Sequence, residues 1–439
     1  MRWLATALAA IIVLACSPTQ APTPTPDIGV LVQAAVERAL PSPTPTPTPN
    51  IEATVAEGGQ ATVEAISTTG PSIPTTTPTS TPVLSFQPSE STVRSTRIVV
   101  TERSLWAGHP ASNAVIGLSL PDGKRVWQTV IGCEPTTLTH SYSRLFVTCF
   151  DTGELVVLDV GSGEVLKRRW VGYGAFGVIE SAGRLYISLA HEQSILAIDA
   201  ATLEEITRAP TAHQPRGLAL KGNQLYVVHL IDASVRVFDA ATLSVLGSIS
   251  IGLQAGLAES VTLDPNKARA YVPHQRQHIT NMARLFDSTI FPIVSVLDTD
   301  RQRPIRREAL ALDSIDTPVG MPIAVVLSED GTRLYVANAA SDDISVIDLA
   351  RGMSVGHVPV GHHPRDLALS PDGDRLYTIN MVSDNVSVIE TATMSVVDTL
   401  ALTEDPRPSI IQQGERIFRT SRPDEIARDN WMACASCHF

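Results

Sequence analysis

Aromatic residues make up only 5% of this 439-residue chain, so its interior must be filled by small and β-branched side chains. Positive charge is also short. Lys and Arg total 33 against 45 Asp and Glu, a formal net charge of −12, and a chain without a basic face is a poor partner for nucleic acid. No apolar run is long enough for a dependable membrane span; the longest, Leu4 to Leu14, falls well short of the ~20 residues a spanning helix needs. Cysteine is scarce, with five in the whole chain, and each falls in a context that suggests a use.

The first is Cys16. Arg2 followed by the apolar stretch reads as a signal sequence, and the small residues of "VLAC" look like a bacterial lipobox in which Cys16 becomes the lipidated N-terminus. An ordinary signal peptide with an incidental cysteine is the other reading. Residues 1–16 are thus expected to be a lipoprotein signal peptide, and the mature chain extracytoplasmic and held to the membrane by its lipid. Residues 17–92 form a Pro/Thr-rich stalk ("PSPTPTPTPN", "PTTTPTSTP") that favours extended polyproline conformation and cannot build a core. Asp27 and Asn50 could cap short helices between the proline tracts.

From about residue 93 the sequence repeats itself. "RLFVTCFDTGELVVLD", "RLYISLAHEQSILAID", "QLYVVHLIDASVRVFD", "RLYVANAASDDISVID" and "RLYTINMVSDNVSVIE" each join two strand-like runs through a polar turn. The aromatics Phe146, Tyr186, Tyr226, Tyr335 and Tyr377 precede the acids Asp159, Asp199, Asp239, Asp348 and Glu390 by 13 residues every time. A third run follows each acid, and a fourth opens the next unit, as in "HHPRDLALSPDG". Four antiparallel strands in about forty residues is the unit of a β-propeller. Seven units fit within 93–412, which predicts an all-β fold of seven four-stranded antiparallel blades. The fifth is stretched, with 14 extra residues between Tyr271 and Asp298. The first unit lacks a clear first strand, and either Arg407–Gln412 or residues before Thr96 could supply it. These repeats resemble the YVTN family of surface and periplasmic seven-bladed propellers, a resemblance that implies the fold and says little about activity.

Cys133 opens the first strand of unit two and Cys149 ends its second, so a hairpin brings them together, and a disulfide is expected in an oxidising compartment. Two buried thiols are the alternative. Loops after second strands and between units emerge on one face of a propeller. That face should carry His274, Arg276, His278 and Arg284 from the stretched unit, together with His213, His362 and His363. It reads as a docking face, with metal binding by its histidines a lesser alternative. Arg216 and Arg365 follow prolines at the starts of units, where they could bind an anion or pair with a neighbouring acid.

The last two cysteines lie in "MACASCHF". Cys434, Cys437 and His438 have the C-x-x-C-H spacing of covalent haem attachment, with the thiols binding haem c and His438 serving as axial ligand to the iron. A zinc site would need ligands the segment does not offer. "QQGERIFRTSRPDEIARDNWMACASCHF" resembles the opening of the cytochrome-c-type domains of the di-haem peroxidase family, with Gly414, Ile417 and Phe418 matching the helix that precedes the haem motif. The resemblance implies a haem domain that runs on for more than a hundred residues with a second haem motif. Residues 413–439 are therefore read as a short, helical, truncated cytochrome-like segment, exposed after about Arg419.

The function expected is extracytoplasmic electron transfer, the propeller serving as docking scaffold for a cytochrome or peroxidase-like domain and a redox partner protein. Peroxidase-like oxidoreductase activity is implied only for a full-length protein, and this stretch alone is not expected to be active. A non-catalytic module that binds protein or polysaccharide, with a vestigial haem motif, is the second reading. A lactonase-like enzyme is the third, and the sequence shows no ring of matched inward acids and amides to support it.

Overall fold

In a computed structural model, which describes residues 92–278, 290–312, 318–425 and 432–438, the constant 13-residue interval has a direct physical cause. Each repeated aromatic lies on a second strand directly opposite the residue two before the acid: Phe146 opposite Val157, Tyr186 opposite Ala197, Tyr226 opposite Val237, Tyr335 opposite Val346 and Tyr377 opposite Val388. The acid then ends the third strand, and where it is an aspartate its carboxylate caps the turn that follows, whereas Glu390 takes the Thr393 hydroxyl instead. Asp199 accepts from the backbone N–H groups of Ala201 and Thr202 at 2.9 and 2.8 Å, and Asp348 from those of Ala350 and Arg351 at 2.9 and 3.0 Å. Such Asx turns fix where the fourth strand begins. The stretched unit keeps the same register, with Tyr271 opposite Val296 and Asp298 capping the turn. Its extra residues lengthen the hairpin arms to Arg269–Gln277 and Ile290–Asp298.

Seven sheets result, as the repeat count predicts. Five are four successive antiparallel strands, from Ile98–Val100 through Arg125–Val130 in blade one to Pro364–Leu369 through Ser395–Ala401 in blade seven, and blade four adds Val93–Arg94 as a fifth strand to its own four. Blade five splits its inner and outer strands into short pieces. Outer strands alternate exposed and half-buried residues, as in Arg125–Val130, whereas second and third strands are buried on both faces. The buried apolar residues form one cluster per seam between neighbouring blades. Tyr186 and Ile179 of blade three pack on Leu218, Leu225 and Phe238 of blade four, for example, and Tyr377 and Ile379 of blade seven pack on Ile98 and Leu105 of blade one. Each such side chain contributes about 1.5–3 kcal/mol on full burial.

Neither Arg407–Gln412 nor the residues before Thr96 supply the inner strand of blade one, which is Ile98–Val100 of the unit itself. Residues before Thr96 and just after it act as an axial strap: Val93–Arg94 pairs antiparallel with the inner strand of blade four, Thr96 bridges Leu138 of blade two, and Ile98–Val100 becomes the inner strand of blade one. Arg407–Gln412 instead leads into a helix, α1 (Ser409–Arg419), because Pro406 and Pro408 prevent strand pairing and favour a helix start. The strap is fastened by Asp366 on the inner strand of blade seven. This buried carboxylate accepts from Arg94 Nη1 at 3.0 Å, Thr96 Oγ1 at 2.8 Å and the Arg97 backbone N–H at 2.5 Å. Arg94 also donates to the Leu367 carbonyl.

Cys133 and Cys149 are joined by a disulfide, their Cα atoms 5.7 Å apart, on the hairpin of blade two. The stalk, the leader with Cys16, and Arg284 lie outside the described residues.

Two stability predictions come from these contacts. Asp366→Ala strips three partners of their acceptor while leaving Arg94 in place, and should cost about 3 kcal/mol, measured as a lower midpoint in chemical denaturation with unchanged slope. Replacing Cys133 and Cys149 together by serine should cost on the order of 3 kcal/mol, as for a closed loop of about 15 residues, and reducing agent should then have no further effect on the melting temperature.

Candidate functional site

Strands alternate in direction, so second-to-third-strand loops and blade-to-blade loops meet on one face of the ring. Two groups of residues with chemistry come together there.

The first is the C-terminal segment. Helix α1 is held at its start by Arg407, whose guanidinium binds Asp405 at 2.9 Å and Glu415 at 2.5 Å. Glu415 also takes Arg419 at 2.7 Å, and Arg419 donates to Nε2 of His363 at 3.1 Å. A guanidinium cannot accept a hydrogen bond, so His363 Nε2 must be unprotonated, and its Nδ1–H donates to the Ala339 carbonyl at 2.9 Å. Burial, with Arg419 and Arg365 close by, holds the His363 imidazole well below its ordinary pKa and keeps it neutral. Beyond the helix, Ser421 N–H donates to the Ala340 carbonyl at 2.7 Å. Ala433 and Ala435 are buried in the seam between blades six and seven beside Ala339 and Ala340, and Gln277 of blade five donates to the Ser436 carbonyl at 3.3 Å. The expectation of an exposed tail after Arg419 is therefore corrected: alanine and serine are small enough to let the segment lie flat on the loops. What remains exposed is its chemistry. Cys434–Ser436 makes a single tight turn, and the N–H groups of Cys437 and His438 both donate to the Cys434 carbonyl, at 3.2 and 3.0 Å. Cys434, Cys437 and His438 are all exposed, and neither cysteine is in a disulfide.

The second group surrounds the ring axis. Glu259 receives Arg365 at 2.6 Å and Arg97 at 3.2 Å. Burial alone would raise its carboxyl pKa, but Arg365, Arg97 and Arg216 outweigh that and hold it at about 2. Arg97 pays for the crowding: burial and then repulsion from Arg365 bring its pKa down to about 10. Arg216 is also lowered, first by burial. Its guanidinium lies over the rings of Phe176 and Phe150, 4.6 and 4.9 Å from their centroids. Gly217 lets the inner strand of blade four lie against the Glu259 backbone, since a Cβ there would sit 2.4 Å from the Glu259 carbonyl oxygen.

The histidines expected on this face divide. His278 is exposed and His362 half-buried, the latter bonded to Asp342 at 2.7 Å, while Arg276 is exposed over Phe291. His274 and His363 are buried, so they do not present themselves to a partner. His274 lies within the lengthened strand of blade five and bonds Ser295 at 2.9 Å, which the reading of this stretch as loop did not anticipate. Among the described residues no group of three or more metal-ligating side chains forms, and the histidines of this face do not converge. Glu259, Asp366 and the neutral role of His363 were not read from the sequence. The Pro-Arg pairs marked Arg216 and Arg365, but nothing local marks the acid they surround.

The architecture defines a seven-bladed β-propeller. The family described as "Lactonase, 7-bladed beta-propeller" matches residues 317–411, chiefly blades six and seven. Among solved structures the chain is similar to hydrazine synthase of Kuenenia stuttgartiensis, with TM-score 0.61 and 19% identity over 67% of this chain and 95% of that one. It is also similar to dihydro-heme d1 dehydrogenase NirN, solved in complex with DHE, with TM-score 0.50 and 12% identity over 70% of this chain and 64% of that one. Likenesses at this identity show the fold. No curated protein sequence matches the chain at a significant level.

His274 supplies a pH test. Burial, the dominant effect, and the Arg276 charge lower its pKa from 6.5 to about 4. A depressed histidine stabilises the folded state above its unfolded pKa, and that contribution disappears as pH falls from 6.5 toward about 4. His274→Gln should remove on the order of 3 kcal/mol of this pH dependence, seen as a flatter plot of unfolding free energy against pH across that window.

Proposed function

We propose that this chain is a haem-bearing electron-transfer propeller, with haem c attached through Cys434 and Cys437 and His438 as an axial ligand. The observation that carries this reading is the exposed Cys434–His438 turn, clamped to the loop face by Ser421, Ala433, Ala435 and Ser436. The donor set fits the group. Two exposed thiols on one turn can add across two vinyl groups, and the adjacent imidazole is exposed for an iron. Helix α1 contacts this turn and leaves Ile410, Ile411, Ile417 and Phe418 exposed, apolar side chains suited to keeping water from a macrocycle. The attached group would supply a one-electron iron couple. The protein's part is to hold it at a fixed place on a rigid scaffold, within reach of a partner that docks on the same face.

Attachment of this kind takes place outside the cytoplasm, and the leader with Cys16 supports that address and a lipid anchor to the membrane. The stalk would then space the propeller from the bilayer. A redox partner protein is part of the proposal.

The test is secretion of the chain in a host that attaches haem. A Soret band that stays with the protein through acid–acetone extraction, and is lost in Cys434→Ala with Cys437→Ala, is the expected result. His438→Ala should keep the covalent pigment and change its spin state. Covalent haem absent from the wild-type chain under these conditions overturns the proposal and leaves the propeller as a binding module.

A further inference from the structure

A cavity of about 490 Å³ opens at the axis on the loop face, with Arg97, Arg216, Arg365 and Glu259 at its floor. Charge is out of balance here. Among the described residues Arg94, Arg97, Arg216 and Arg365 meet two carboxylates, Glu259 and Asp366, and both are already engaged by the strap and by Arg97 and Arg365. At the rim the balance is reversed, since Arg407 and Arg419 are matched by Asp405 and Glu415, and Glu134 and Asp151 add two further acids. The surplus is thus concentrated at the bottom of the funnel, where partly buried charges are weakly screened.

Arg216 is the residue that spends least of its capacity on the fold. A guanidinium offers five N–H donors. Among the described residues only Gln214 takes one, at 3.1 Å, and the buried Nε has no partner. Among the described residues Arg216 makes no ion pair at contact distance. Instead its guanidinium carbon lies 4.9 and 4.6 Å from the ring centroids of Phe150 and Phe176, contacts that place the cation while using none of its N–H donors. The same two phenylalanines, with Met381 and Pro110, give the cavity an apolar wall.

We propose that this axial funnel is a binding site for a small organic carboxylate, its oxygens taken by Arg216 with Arg365 and its apolar body set against Phe150 and Phe176. An incoming carboxylate supplies the negative charge that the floor lacks. An inorganic anion would satisfy the charge but make no use of the apolar wall, which is why the site is assigned to an organic acid. The assignment does not depend on haem.

Benzoate and adipate serve as probes, with inorganic phosphate as the comparison, in isothermal titration against the full chain and against its haem-free Cys434→Ala, Cys437→Ala form. Both forms should bind an organic carboxylate, with affinity falling as salt rises. Arg216→Gln should weaken binding at least tenfold without lowering the melting temperature by more than a few degrees, because Arg216 holds no ion pair. If that variant folds poorly, Arg216→Lys keeps the charge but loses the planar fork, and should still weaken binding several-fold. Absence of carboxylate binding to the unaltered chain overturns the proposal. So does binding by Arg216→Gln within twofold of the unaltered chain, or phosphate binding as tightly as either organic acid. Carboxylate binding to the cysteine-free form separates this outcome from any failure of haem attachment.

Discussion

Seven wedge-shaped sheets can stand in a ring only if the last is fastened to the first, and here that depends on one carboxylate. Asp366 on the inner strand of blade seven gathers Arg94, Thr96 and the backbone of Arg97 from a segment that has already crossed from blade four past blade two. The apolar seam between blades seven and one supplies most of the favourable burial, but burial is not directional and would tolerate a small slip. The hydrogen bonds to Asp366 are directional, so they set the angle at which the ring shuts. The same strap occupies the axis. It brings Arg97 beside Glu259, and it turns what would be an open channel into a funnel with a floor.

Everything with chemical character then follows from loops at one face. Arg365 sits next to Asp366 in sequence, so the strand that fastens the strap also delivers a guanidinium to the funnel. His363, two residues earlier, takes the bond from Arg419 that holds down the end of helix α1. Ring closure, the charged floor and the seat of the Cys434–His438 turn are therefore adjacent parts of one stretch, "GHHPRDL".

The fold was legible because its determinants are local. An aromatic, a hairpin of fixed length and a capping acid are read within 13 residues, and the register they impose survives even the long arms of blade five. The C-x-x-C-H spacing was legible for the same reason. What could not be read were contacts made across the ring. The strap is two short pieces of strand with no periodicity of their own, and Arg407–Gln412 has a looser but similar claim until its prolines are weighed. Glu259 lies in the irregular entry to blade five, and only closure sets it among arginines from blades one, four and seven. His274 was misplaced because added residues can extend a hairpin as easily as its loop, and a polar run such as "HQRQ" gives no sign which has happened.

The capping aspartates of blades two to six lie at the opposite end of their sheets from the funnel and the cysteine turn. Asp159, Asp199, Asp239, Asp298 and Asp348 each bind backbone N–H groups of the turn that follows. A change there is felt as an error of register along a whole blade. A change at the loop face alters what the molecule can hold and leaves the pairing of strands alone. The instructions for assembly and the means of recognition are thus written at two ends of the same strands, so a substitution can rework one without disturbing the other.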